Sequence, residues 1–163
     1  MDAIDEYCDL YVFVFYQTLQ RGEKMPKVLK ADGMNKCIGC FSCMLACAAI
    51  NKKNHSISKS AIKIKTSGGL QGRFLSVVCF ACTDERACME ACPSGALKKR
   101  PGGGVLLSPE ECIGCRQCVK ACIVGGAFFD EDTEKPIICK HCSVCTRFCP
   151  HGCLRMEDVS NDL

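Results

Sequence analysis

The sequence predicts a small α+β fold of short helices and β-hairpins, stapled through sulfur rather than by a large apolar core. Three observations predict it. Eighteen of the 163 residues are Cys, while Trp is absent and aromatic residues make up only 7%, a composition in which cysteine takes over cross-linking from burial. One cysteine spacing recurs four times along the chain. Between the recurrences lie short runs of alternating apolar and polar residues bounded by Gly and Pro, at a length that suits one or two small domains.

The first stretch, "MDAIDEYCDLYVFVFYQTLQRGEK", has an acidic start, an apolar run of seven residues and no small-residue cleavage site or twin arginine, so it does not read as a secretory signal. It is too short to span a bilayer. A cytoplasmic, reducing setting without direct membrane insertion is therefore expected, and a secreted disulfide framework is not. Residues 1–26 are read as a tail. "RGEKM" can be encoded by a purine-rich stretch like a ribosome-binding site, which makes Met25 an alternative start and leaves Cys8 without weight in the reading.

"MPKVLKAD" then reads as the opening of a strand. The first motif follows as Cys37, Cys40, Cys43 and Cys47; the others are Cys79, Cys82, Cys88 and Cys92, then Cys112, Cys115, Cys118 and Cys122, then Cys139, Cys142, Cys145 and Cys149. A C-x2-C-x2-C loop is long enough to offer three thiolates to three irons of a cubane. The next x3 carries the chain into a helix that points the fourth cysteine away, toward a second cluster in the bacterial ferredoxin run. Structural zinc prefers two separated C-x2-C pairs and gains nothing from a third and fourth cysteine at x2 and x3. Sixteen thiols in this spacing predict four [4Fe–4S] clusters.

Short helices are expected around 43–52, 88–92, 118–122 and 145–149. "AIKIKT" (61–66) alternates like a half-buried strand and "SVVCF" (76–80) leads into the second motif. "ALKKRPGGGVLLSPEEC" reads as a hairpin turning at Gly102–Gly104, and "AFFDEDTEKPIIC" (127–139) repeats that plan around an acidic turn.

On these motifs the chain resembles the small iron–sulfur subunits of the four-cluster ferredoxin family that serve molybdenum and tungsten oxidoreductases, over roughly residues 27–157. The resemblance implies tandem, nested ferredoxin-like units: an outer one of 27–66 and 123–157, an inner one of 67–122, and a polar tail at 158–163. It further implies that Cys37, Cys40, Cys43 and Cys149 hold one cluster and Cys139, Cys142, Cys145 and Cys47 its neighbour. Cys79, Cys82, Cys88 and Cys122 would hold a third, and Cys112, Cys115, Cys118 and Cys92 a fourth. The residues themselves leave the pairing open. Pro follows the last cysteine in motifs two and four but not in one and three, which fits a 1–4 with 2–3 scheme and a 1–2 with 3–4 scheme equally. The wider gap in "CTDERAC" is a departure that the family accommodates.

Cys153 falls where Ala96 stands when "CPSGAL" is laid over "CPHGCL", so a small buried residue is expected there rather than a ligand. His141 and His151 flank the fourth motif. With complete thiolate sets, shielding or an N–H to sulfur or solvent is their expected part, not ligation. The formal charge of +3 becomes about −5 once sixteen thiolates and four cores of about +2 are counted, which removes the case for nucleic-acid binding. "LKKR" and the lysines of "INKKNH" and "KSAIKIK" then read as solvated surface.

No Ser–His–Asp set, phosphate loop or dinucleotide turn is present, and no catalytic site is expected. An electron-transfer subunit is. The chain is most similar to the compact small subunits of tungsten-containing aldehyde ferredoxin oxidoreductases and benzoyl-CoA reductase complexes. That likeness implies a large tungsten-pterin catalytic subunit on one side and a flavoprotein, a ferredoxin or another redox subunit on the other. A molybdopterin oxidoreductase or hydrogenase subunit, or a free polyferredoxin, is the alternative.

Overall fold

The structure, a computed structural model, describes residues 26–68 and 72–159. The expectations for Met25 as a start, for Cys8 and for most of the 1–26 tail lie outside those residues. Eight short strands form four separate two-stranded antiparallel sheets. β2 (Ile62–Ser67) pairs with β3 (Arg73–Val78), β4 (Leu97–Lys99) with β5 (Val105–Leu107), and β6 (Ala127–Asp130) with β7 (Lys135–Ile138). Each is a hairpin. The exception is β1 (Lys27–Lys30), which pairs with β8 (Arg155–Asp158) from the far end of the chain, Lys27 opposite Asp158 and Lys30 opposite Arg155.

That closing sheet was not expected for 155–158, because "RMED" shows no clean apolar alternation. It forms because Leu29 and Met156 face the core between them while Lys27 and Asp158 pair at 3.0 Å on the outside. Asp158 is thus the last residue of β8 and not the first of a polar tail. Hairpin β2–β3 runs across the expected boundary at 66–67, and Ile64 and Val78 from its two strands share one core.

Four helices follow the motifs within one or two residues of expectation: α1 (Ser42–Lys52), α2 (Ala87–Glu90), α3 (Gln117–Ala121) and α4 (Val144–Arg147). α1 packs on α4, and α2 on α3. Two 3-10 turns, Met34–Lys36 and Ile57–Lys59, complete the set. Ser56 caps the second through its hydroxyl, which accepts from Ser58 N–H. No described helix is long and apolar enough to cross a membrane.

Candidate metal centre

Each motif is shaped by the same backbone device. The residue before the second cysteine takes a left-handed conformation in all four: Gly39 (φ 70°), Ala81 (φ 55°), Gly114 (φ 70°) and His141 (φ 55°). In motifs one, three and four the residue after it does so as well, at Phe41, Arg116 and Ser143, and a helix starts at the next position. Motif two has no such second turn. Its longer C-x5-C gap reaches α2 by way of Arg86 instead. Left-handed backbone costs about 1–2 kcal/mol at a residue with a Cβ, so its repetition at non-glycine positions marks geometry held for a purpose. The loop curls so that backbone N–H groups face inward.

Those N–H groups meet sulfur. Ala81 N–H donates to Cys79 Sγ at 3.4 Å and His141 N–H to Cys139 Sγ at 3.4 Å, the same contact in two motifs. Cys153 N–H reaches Cys149 Sγ at 3.2 Å, Ala61 N–H reaches Cys47 Sγ at 3.4 Å, and the Asn51 amide lies 3.7 Å and 3.8 Å from the sulfurs of Cys47 and Cys142. Donors aimed at sulfur stabilise the thiolate form that a metal requires. This network was not read from the sequence. The one signal for it is the small or left-handed-tolerant residue two places after each first cysteine.

The thiols collect in fours. Cys47, Cys139, Cys142 and Cys145 line one cavity of about 220 Å³ together with Leu29, Ile62 and Ile137. Cys37, Cys40, Cys43 and Cys149 line a smaller recess, which Cys153 and His151 also border. Among ionisable neighbours, Cys88 is acted on by Cys122, Cys79 and Cys82 and then by Cys118 of motif three, and Cys118 by Cys112, Cys115 and Cys92. Among the described residues no three His, Cys, Asp or Glu side chains are grouped tightly enough for a single ion. All the described cysteines are free of disulfides.

Burial pushes the thiols up, to about 11 at Cys43 and Cys88, to about 12 at Cys145 and higher still at Cys139, where neighbouring thiols add to the effect. Without a cation these buried groups stay protonated, whereas metal coordination deprotonates a thiol outright. A donor set of four sulfurs, three from one motif, ringed by N–H groups and apolar side chains, fits a cubane cluster. Cys153 is buried, as expected for a small residue, and it sits against Cys149 and Cys37. Two buried polar groups stand out: Arg86 Nε and His141 Nε2 have no hydrogen-bond partner.

Comparison with known proteins agrees with this chemistry. Residues 74–123, which span motifs two and three, match the 4Fe-4S dicluster domain. The chain is 34% identical over 131 residues to the NADH-dependent phenylglyoxylate dehydrogenase subunit beta of Aromatoleum evansii, covering 77% of this chain and 29% of that protein. It is 35% identical over 103 residues to the arsenate respiratory reductase iron-sulfur subunit ArrB of a Shewanella species, covering 61% and 44%. It is 30% identical over 145 residues to the probable anaerobic dimethyl sulfoxide reductase chain YnfG of Escherichia coli, covering 77% and 70%. The chain spans less than half the length of the first two of these relatives.

Proposed function

This chain belongs to the [4Fe–4S] electron-transfer subunits of molybdopterin-type oxidoreductases, and from that premise we propose that it carries single electrons through four clusters between a pterin-bearing catalytic subunit and an external redox carrier. It does not catalyse alone. The observation that carries the reading is the gathering of thiols from distant motifs, Cys149 with Cys37, Cys40 and Cys43, and Cys47 with Cys139, Cys142 and Cys145.

We assign the ligand sets accordingly. The inner pair, Cys79, Cys82, Cys88 with Cys122 and Cys112, Cys115, Cys118 with Cys92, is supported by the packing of α2 on α3 and by a dicluster domain confined to those two motifs. The outer pair is supported by α1 on α4 and by the sheet joining the chain ends. Once bound, the clusters supply the one-electron chemistry. The chain's own part is to hold thiolates, aim N–H groups at them and keep water from the buried sulfurs. Exchange of the fourth cysteine between paired motifs keeps paired clusters close, as a route for successive electron hops requires.

Relatives named for dimethyl sulfoxide, arsenate and tetrathionate reductases favour molybdenum in the partner. A tungsten partner of the aldehyde oxidoreductase or benzoyl-CoA reductase type is the second reading, and a flavoprotein or ferredoxin is the expected external carrier. Free thiols throughout the described chain suit a reducing cytoplasm. The test is anaerobic purification from the native host with analysis of iron, sulfide, molybdenum and tungsten and identification of co-purified chains. Iron and sulfide for four clusters with a large molybdenum-bearing chain is expected. Tungsten selects the second reading, whereas zinc, or a stable lone chain with iron, overturns the subunit assignment.

A further inference from the structure

The turn of hairpin β4–β5 wedges between the first strand and the second motif. Gly103 is so close to that motif that a Cβ on it would lie 2.2 Å from the Ala81 carbonyl oxygen, and Gly104 N–H donates to the Cys82 carbonyl at 2.9 Å. At this junction sit Arg100, which the electron-transfer reading leaves unused, and the ring of His141. Arg100 is partly buried. Its guanidinium donates to the carbonyls of Lys27 (2.8 Å), Pro101 (3.0 Å) and Gly103 (3.2 Å), and no described carboxylate pairs with it. The acidic groups that act on it are the thiols of Cys139, Cys79 and Cys142, two from motif four and one from motif two.

His141 is 5% exposed, and its ring orientation is set from outside the motif. Leu29 N–H donates to Nδ1 at 2.9 Å, so Nδ1 offers its lone pair and the neutral ring carries its proton on Nε2. Nε2 points at the same junction, 3.5 Å from where a Gly104 Cβ would stand, and it is buried with no partner. Buried donors are nearly always satisfied. Nε2 lies against the Gly103–Gly104 turn that packs on motif two, near the cations Arg100 and Lys30, and no cysteine Sγ reaches it, so the acceptor that suits it is the sulfide of a bound cluster.

We propose that Arg100 and His141 form a positively polarised junction between the cluster of motif four and the cluster of motif two, Arg100 as a fixed charge and His141 Nε2–H as a donor to sulfur. The inference rests on the four-cluster reading. Both residues stabilise the more negative, reduced state of the two facing clusters, and so raise the midpoints of those two relative to the other two. They are positioning residues that act through electrostatics.

The experiment is a potentiometric titration of the holoprotein followed by electron paramagnetic resonance, on the native chain, Arg100→Met, His141→Leu and His141→Gln, with iron and sulfide counted first. Arg100→Met should lower two of the four midpoints by about 59 mV, a tenfold loss of preference for the reduced state, and leave the other two in place. His141→Leu should lower at least one of the same two, and His141→Gln, which keeps a donor, should restore part of the shift. Unchanged midpoints at full iron overturn the junction. So does an equal fall of all four midpoints, or loss of iron without a shift in the remaining clusters, since each describes a general or merely structural role. A native chain without iron for four clusters instead overturns the function on which the proposal stands.

Discussion

Around motifs one and four the structure buries Leu29, Met44, Ile62, Ile64, Val78, Ile137 and Leu154 in one continuous cluster with four cysteines, whereas around motifs two and three the buried cluster is Leu97, Val105 and Cys118. The one long helix, α1 with eleven residues, also lies in the outer part, while α4 is as short as α2. The outer segments have packing of their own. The inner ones hold little besides sulfur ligands and a three-residue-per-strand hairpin, so their order depends on bound metal to a greater degree.

Removal of iron by a chelator gives the largest effect and breaks the comparison most directly. Amide exchange in β4, β5, α2 and α3 should rise to that of unfolded chain, while β2, β3 and α1 keep measurable protection; equal loss across both halves would show that the outer core has no stability of its own. Cavity-forming substitutions come next. Ile62 is 1% exposed in the outer core, and Ile62→Ala should cost about 2–5 kcal/mol. Val105, 2% exposed in the inner cluster, should cost about 2 kcal/mol on truncation to Ala, both read from thermal melts of holoprotein.

Gly39→Ala is smaller. The position has φ 70°, and a Cβ there would lie 2.4 Å from the Phe74 ring; the ring can shift, so a cost of about 1–3 kcal/mol is expected. Gly95→Ala, with φ 65° but open space, should cost less in the same melt. The smallest effect concerns Asp130, buried and held by Lys59, which also meets Asp132 at 2.6 Å. Burial alone would raise its carboxyl, but the hydrogen bonds from Lys59 and Thr133 outweigh it and hold the group below its ordinary value. A carboxyl lowered in the folded state stabilises above its unfolded value of about 3.9 and loses that contribution as pH falls through the lowered value. Asp130→Asn should therefore lower the melting temperature at neutral pH, and the gap to the native chain should narrow in acid. A gap independent of pH would assign the loss to packing.

Much of the outline was legible because it is local. Each helix begins within one or two residues of a cysteine, and two of the three hairpins lie where Gly102–Gly104 and the acidic 130–134 turn separate apolar runs, while the pairing of β2 with β3 was not expected. β8 was missed because a strand of mixed polar residues has no pattern until its partner strand is known. The N–H to sulfur bonds were missed because they depend on left-handed backbone at Ala81 and His141, residues that give no glycine signal.

By itself the sequence determined the chemistry: sixteen thiols at a spacing that wraps a cubane, few aromatic residues to build a core, and no catalytic motif among those sought. Only the tertiary structure decided which thiols share a cavity, that the chain ends meet in one sheet, and that the β4–β5 turn brings Arg100 and the His141 ring to the same side of motif two. The physical reason is range. A loop spacing constrains atoms within a few residues, where chain geometry admits few alternatives, while Cys149 reaches the recess of Cys37, Cys40 and Cys43 only through burial and packing between segments far apart in sequence.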